Sequence, residues 1–324
     1  MGEVATARGP IGTETLGRTL MHEHVFVLSP EIATNHPYGW DEEARVAQAV
    51  DKLNQLKAAG IDSIVDPTVV GLGRYIPRIQ RIAEQTELNI VVATGLYTYN
   101  DLPHYFDYRG PGTLLGGDEP MVEMFVTDIT EGIAGTGVKA AFLKCATDHQ
   151  GVTAGVERVL RAVAKAHRAT GAPILTHTHA PSRQGDHQQR VFAEEGVDLS
   201  RVVIGHCGDT TDLDYLEGLI ARGSYVGMDR FGLDLLLPFE DRVATVAALC
   251  ERGHADRVVL AHDASCFIDW LPEEELPVAA PNWHYLHITN DVLPALRARG
   301  VTEEQIDQML VANPRAYFER TGAY

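Results

Sequence analysis

The chain is poor in the features that would place it outside the cell, in a membrane or on nucleic acid. It has four cysteines in 324 residues, Cys145, Cys207, Cys250 and Cys266, and no CxxC pair. Disulfides are therefore not expected, and the cysteines suit a reducing compartment. Positive charge is scarce as well: 27 Lys and Arg stand against 45 Asp and Glu, for a net charge of −18. Such a surface repels nucleic acid and anionic membranes. No apolar stretch is long enough to span a bilayer, and no basic segment followed by an apolar run opens the chain. The expectation is a cytoplasmic protein. Repeats, low-complexity segments and linkers are also missing, so residues 1–324 read as a single domain, with a short N-terminal β-hairpin arm over residues 1–18.

What is present is a rhythm. Apolar runs of strand length occur at 19–27, 61–66, 89–94, 138–145, 172–178, 202–207, 224–229 and 257–263. Segments of helical period lie between them, among others 43–59, 154–169, 212–222 and 239–252. Residues 282–299 and 302–318 read as closing helices. Nearly continuous apolar strands alternating with amphipathic helices indicate a parallel sheet covered on both faces. About eight such repeats predict an α/β fold of the (β/α)8 (TIM) barrel type; a doubly wound open sheet is the alternative. Two segments, 96–119 and 264–281, are long for connections in this architecture and read as binding loops.

In such a barrel, chemistry sits at the C-terminal ends of the strands. Those ends carry His22 and His24, Lys144, His177, His206 and Asp263. In Met21-His22-Glu23-His24-Val25, strand alternation turns the two imidazoles to one side and Glu23 to the other. Two imidazoles on one face suit a transition metal. Lys144 lies within Ala-Ala-Phe-Leu-Lys-Cys-Ala, where a charged ammonium is costly to bury unpaired. Burial and nearby cations would leave a neutral amine, able to take up CO2 as a carbamate that bridges two metals. A lysine paired with a core carboxylate and a Schiff-base lysine are the alternatives. His177 competes with His179, since alternation puts both on one face. Asp263 could ligate metal and carry protons, while His262 beside it must then point away. Glu23, Cys145 and Cys207 turn toward the helices, and the remaining histidines fall on helices or loops.

These segments resemble the phosphotriesterase-like lactonases of the amidohydrolase superfamily. The resemblance rests on His-Glu-His at 22–24, Ile-Val-Asp-Pro-Thr-Val-Val-Gly-Leu-Gly-Arg at 64–74 and Phe-Leu-Lys at 142–144. It continues through Thr-His at 176–177, Ile-Gly-His-Cys-Gly-Asp-Thr at 204–210, Gly-Met-Asp-Arg-Phe-Gly-Leu-Asp at 227–234, His-Asp at 262–263 and Ile-Asp-Trp at 268–270. It departs mainly at 110–120 and around 271–280.

The resemblance implies a barrel with two divalent metal ions per chain, zinc first, with cobalt, iron or manganese as alternatives. His22, His24 and Asp263 would hold one ion, and His177 and His206 the other. Lys144, carboxylated by CO2, and a hydroxide would bridge them, and His177 is preferred to His179. Asp263 would shuttle protons, with Tyr97 and Arg230 near the metals as further catalytic residues. Phe231, Leu235, Leu236, Cys266 and Trp270 are expected to line an apolar pocket, with an ordinary core contact as the alternative for each. The implied activity is quorum-quenching hydrolysis of N-acyl-homoserine lactones, with promiscuous phosphotriesterase activity, by a homodimer. The alternatives are a primary organophosphate phosphotriesterase, a metal-dependent deaminase or dihydroorotase-like enzyme, and a non-catalytic metabolite-binding barrel.

Overall fold

A computed structural model describes residues 2–37, 39–319 and 322–324. An antiparallel hairpin of β1 (Glu3–Thr6) and β2 (Gly9–Gly12) comes first. Gly9 adopts φ +115° at its turn, a conformation that side chains resist. Then follow β3 (Thr19–Leu20), β4 (His24–Val27), β5 (Ser63–Asp66), β6 (Asn89–Gly95) and β7 (Phe142–Ala146). The series continues with β8 (Ile174–His177), β9 (Val202–Ile204), β10 (Tyr225–Met228), β11 (Val258–Leu260) and β12 (Ser265–Ile268).

Eight of these strands pair in parallel in the order β11-β10-β9-β8-β7-β6-β5-β3, with helices between them on the outside. The seam between β11 and β3 is joined by single backbone bonds, Met21 N–H to Leu260 O (3.1 Å) and Asp263 N–H to His22 O (3.0 Å). A parallel β4–β12 pair extends it. The molecule is a (β/α)8 barrel, as the rhythm of apolar strands and helices predicts.

Alternation along the strands separates two cores. Val65, Val91, Phe142, Leu175, Val203, Tyr225 and Val259, one from each of seven strands, pack together along the barrel axis. Tyr317 and Phe318 of the last helix, Asn313–Glu319, join them. Their sequence neighbours Ile64, Ile90, Val92, Leu143, Ile174, Val202 and Val258 face the helices. Lys144 and His177 share parity with Phe142 and Leu175, which directs both side chains inward near the strand ends.

Three stretches differ from the sequence reading. The run 19–27 is two strands rather than one, broken at Met21–Glu23. Met21 joins the axial core, so an unbroken strand would have turned Glu23 inward and both histidines outward. The supposed loop 264–281 contains β12 and a short helix, Leu276–Ala279. The first of the two closing helices starts near 288, not 282, and opens with a π-helical turn, Ile288–Val292, ahead of Pro294, whose missing N–H cannot complete a regular helical turn.

Candidate active site

His22, His24, Lys144, His177, His206, Asp263, Tyr97 and Arg230 line one cavity of about 180 Å³ at the C-terminal end of the barrel. Two of them reach it through strained backbone. His206 and Asp263 adopt φ +58° and +57°, left-handed values uncommon for residues other than glycine. β9 has ended at Ile204 and β11 at Leu260, and the backbone beyond each turns His206 and Asp263 toward the axis. Continued alternation from the inward Val203 would have pointed His206 outward.

Each histidine is held by one ring nitrogen and presents the other to the cavity. His22 Nδ1 lies 3.0 Å from Asp229 Oδ2, and His206 Nδ1 lies 2.9 Å from Asp229 Oδ1. The His206 backbone N–H donates to the same Asp229 oxygen at 2.7 Å. His24 Nδ1 meets Thr68 Oγ1 at 2.7 Å, and that hydroxyl is fixed in turn by Asp66. His177 is held the other way round, with Nε2 2.8 Å from Asp148 Oδ2 and Nδ1 3.3 Å from the Tyr97 hydroxyl.

The Nε2 atoms of His22, His24 and His206 converge on Asp263. Asp263 Oδ1 lies 3.4 Å from His22 Nε2 and 3.3 Å from His24 Nε2, and Oδ2 lies 3.7 Å from His206 Nε2. For a tetrahedral ion with ligands about 2.0–2.1 Å away, neighbouring donors stand about 3.3–3.4 Å apart. The spacing of His22, His24 and Asp263 therefore fits a cation. His206 Nε2 is buried and has no hydrogen-bond partner, an arrangement a metal ion would satisfy. His22, His206 and Asp229 form a second possible donor group. Asp229 sits on the Nδ1 side of both rings, away from the point where the Nε2 atoms meet, so its part is to orient them.

Electrostatics agree with a metal-binding role. Burial lowers the pKa of His22 and His206 well below the usual value and that of His177 to about 4, leaving neutral imidazoles that can coordinate. Burial pushes the Asp263 carboxyl up, but His22, His24 and Arg230 outweigh it and hold the group well below the carboxylate range. Burial brings Lys144 down to about 8, and its amine lies 3.1 Å from His22 Nε2. Arg230 donates through Nε to Asp263 Oδ2 at 2.9 Å and pairs with Asp209 at 3.0 Å.

The predicted pocket residues divide. Leu236 and Trp270 line the cavity. Phe231 is buried in the core on the helix side, and Leu235 is 66% exposed, so neither faces the cavity. Cys266 is buried beside the Tyr285 hydroxyl and borders a neighbouring chamber of about 310 Å³, which shares Ser265, Ile268 and Trp283 with the first. A loop carries side chains in both directions, so spacing within 231–236 could not select the inward ones. His179 is bonded to Ser182 outside the cavity, and His177 is the one brought in. Glu23 is buried against His262, while Cys145 and Cys207 pack on the helix side. The sequence reading missed Tyr99, whose hydroxyl touches that of Tyr97, together with Leu72, Leu233, Leu271 and Trp283. It also missed the orienting residues Asp229, Thr68 and Asp148. Asp229, inside the quoted 227–234 motif, was legible as a carboxylate at the end of a strand.

The phosphotriesterase family model matches residues 2–318. The chain belongs to the phosphotriesterase family. It is 68% identical to the "Phosphotriesterase homology protein" of Mycobacterium tuberculosis, over the full length of both. It is 40% identical to the "Aryldialkylphosphatase" of Saccharolobus solfataricus, over 95% of this chain and 96% of that one. A structure described as the phosphotriesterase from Mycobacterium tuberculosis superposes with a TM-score of 0.99 at 68% identity, covering 99% of this chain and 100% of that chain. A second, described as engineering organophosphate hydrolysis from a weak promiscuous lactonase template, gives 0.89 at 36% identity over 98% and 99% of the two chains. This protein is thus a hydrolase of the phosphotriesterase family with His and Asp groups arranged for metal binding. Among its described residues no helix is long and apolar enough to cross a membrane.

Proposed function

We propose that this enzyme hydrolyses lactones, with N-acyl-homoserine lactones as its substrate class and aryl phosphotriesters as weaker substrates. The observation that carries the reading is the convergence of His22, His24, His206 and Asp263 on one buried point, with the far nitrogen of each ring held by the protein. His22, His24 and Asp263 would hold one ion, and His177 and His206 a second. Lys144, as a neutral amine, would add CO2 and lose a proton to become a carbamate bridging the two. Zinc suits this imidazole and carboxylate set, as do cobalt, iron and manganese. Ions held there supply Lewis acidity and a water-derived nucleophile near neutral pH.

The chain's own residues do the rest. Asp263 accepts the proton released as the nucleophile attacks and delivers it to the departing ring alkoxide. Arg230 keeps that carboxylate ionised and oriented. The Tyr97 hydroxyl, beside His177, donates to the oxygen that gains negative charge. Leu72, Leu236, Ile268, Trp270, Leu271 and Trp283 form an apolar wall for the acyl chain.

A primary phosphotriesterase is the competing reading, favoured by the "Aryldialkylphosphatase" name of the 40% identical relative. A lactone's tetrahedral intermediate resembles a phosphotriester's ground state, so one site accommodates both. A kinetic panel on metal-replete protein separates them: homoserine lactones, simple lactones and a nitrophenyl phosphotriester. Higher kcat/KM on homoserine lactones is expected, and a preference for the phosphotriester would reverse the assignment.

A further inference from the structure

Glu23 and His262 each stand beside a residue of the site, and neither lines the cavity. They meet in the interior at 0% exposure, with His262 Nδ1 2.6 Å from Glu23 Oε1. The same oxygen accepts the His262 backbone N–H at 2.8 Å, and Oε2 accepts the Ala264 N–H at 3.0 Å. The carboxylate thus grips the peptide groups on both sides of Asp263, the residue held at φ +57°. His24 N–H to Ala264 O (2.8 Å) and Asp263 N–H to His22 O (3.0 Å) interleave with these bonds. His262 Nε2 accepts the Ile288 N–H at 2.8 Å, which puts the ring proton on Nδ1 and aims it at Glu23.

We propose that Glu23, locked by His262, is a positioning residue that sets the Asp263 carboxylate against the His22 and His24 imidazoles. It acts through Asp263 and touches neither substrate nor metal. Simple closure of the seam does not require this carboxylate, because Met21 N–H to Leu260 O and Asp263 N–H to His22 O already join the two sides. The chain leaves its strand after Leu260, so the amides of 262 and 264 find no carbonyl in register and turn to this side chain. The proposal rests on the reading of Asp263 as a metal ligand and proton carrier.

The test compares wild type with Glu23→Gln and His262→Gln, using cobalt(II) as the probe. Glu23→Gln puts an amide NH2 where an acceptor is needed. His262→Gln retains an acceptor toward Ile288 but drops the third donor to Glu23. Partners that orient metal ligands are typically worth about 10–100-fold in metal affinity. Glu23→Gln is expected to lose cobalt to a chelator 10–100-fold more readily, with a shifted visible spectrum, and kcat should fall while KM changes little. His262→Gln should move the same way by less. Folded variants with wild-type cobalt retention and spectrum would overturn the proposal. If Glu23→Gln does not fold, His262→Gln alone decides on the same readouts. Amide exchange at 262–264 in metal-free protein gives a separate readout, expected to quicken in both variants. A wild type that took up no cobalt would sink the metal reading of the site, whereas unchanged amide exchange in the variants would sink the clamp.

Discussion

The floor and the rim of the active-site cavity are built on different terms. On the floor, His22, Lys144, His206 and Asp229 are each 1% exposed, and each histidine is held at its second nitrogen. At the rim, Leu236, Trp270 and Leu271 are 49%, 48% and 49% exposed and sit on loops. On the floor, Lys144 lies on β7, and His22 and His206 are held by Asp229, which directly follows β10. On the proposed function, the difference teaches that chemistry would be fixed at the strand ends, whereas substrate choice would be left to side chains with room to move. Substitutions on the floor should change the chemical step, and those at the rim should change binding.

Lys144→Ala is expected to have the largest effect among single substitutions, because it removes the group proposed to bridge the two ions and leaves a cavity in its place. Turnover on every substrate should collapse, with partial recovery on adding bicarbonate or a short carboxylic acid. Lys144→Arg should not rescue, since a guanidinium stays cationic and cannot become a carbamate. Undiminished turnover in Lys144→Ala would break the distinction at its strongest point.

Asp263→Asn sharpens the comparison by separating ligand from proton carrier. The amide oxygen can still face a metal but cannot take up a proton. Lactone opening expels an alkoxide that needs protonation, while a nitrophenolate leaves unaided. General acid–base help is worth about 10²–10⁴-fold, so lactone turnover should fall by that order and phosphotriester turnover by much less. Equal losses with metal content unchanged would reduce Asp263 to holding metal.

Trp270→Ala probes the rim, and its expected effect is the smallest. KM for long-chain homoserine lactones should rise severalfold, with kcat and short-chain KM nearly unchanged. A fall in kcat on all chain lengths would mean that rim and floor are coupled.

The same division explains what could be read from the chain alone. The barrel was legible because apolar runs and helical periods alternate along nearly the whole length. The floor residues were legible because histidines, a lysine and an aspartate are conspicuous at the ends of apolar runs. The alternation argument turned His22, His24 and His206 inward, where they line the cavity, but for an incomplete reason, since breaks at 21–23 and after Ile204 turn them there. Such breaks depend on left-handed backbone that no local pattern announces. Asp229, Thr68 and Asp148 were passed over because orienting groups have no spacing rule of their own. At the rim, Phe231 and Cys266 were placed in the pocket but face the core and a neighbouring chamber, because apolar type does not reveal direction in a loop.

The central claim is that the floor is a two-ion centre on which the reaction depends. The direct test is to strip the protein with a chelator and titrate cobalt or zinc back while recording lactonase turnover and bound metal in the same samples. Activity should vanish on stripping and return as binding approaches about two ions per chain, as expected when activity depends on a bound metal. Full activity in metal-free protein, or at a single ion per chain, would contradict it.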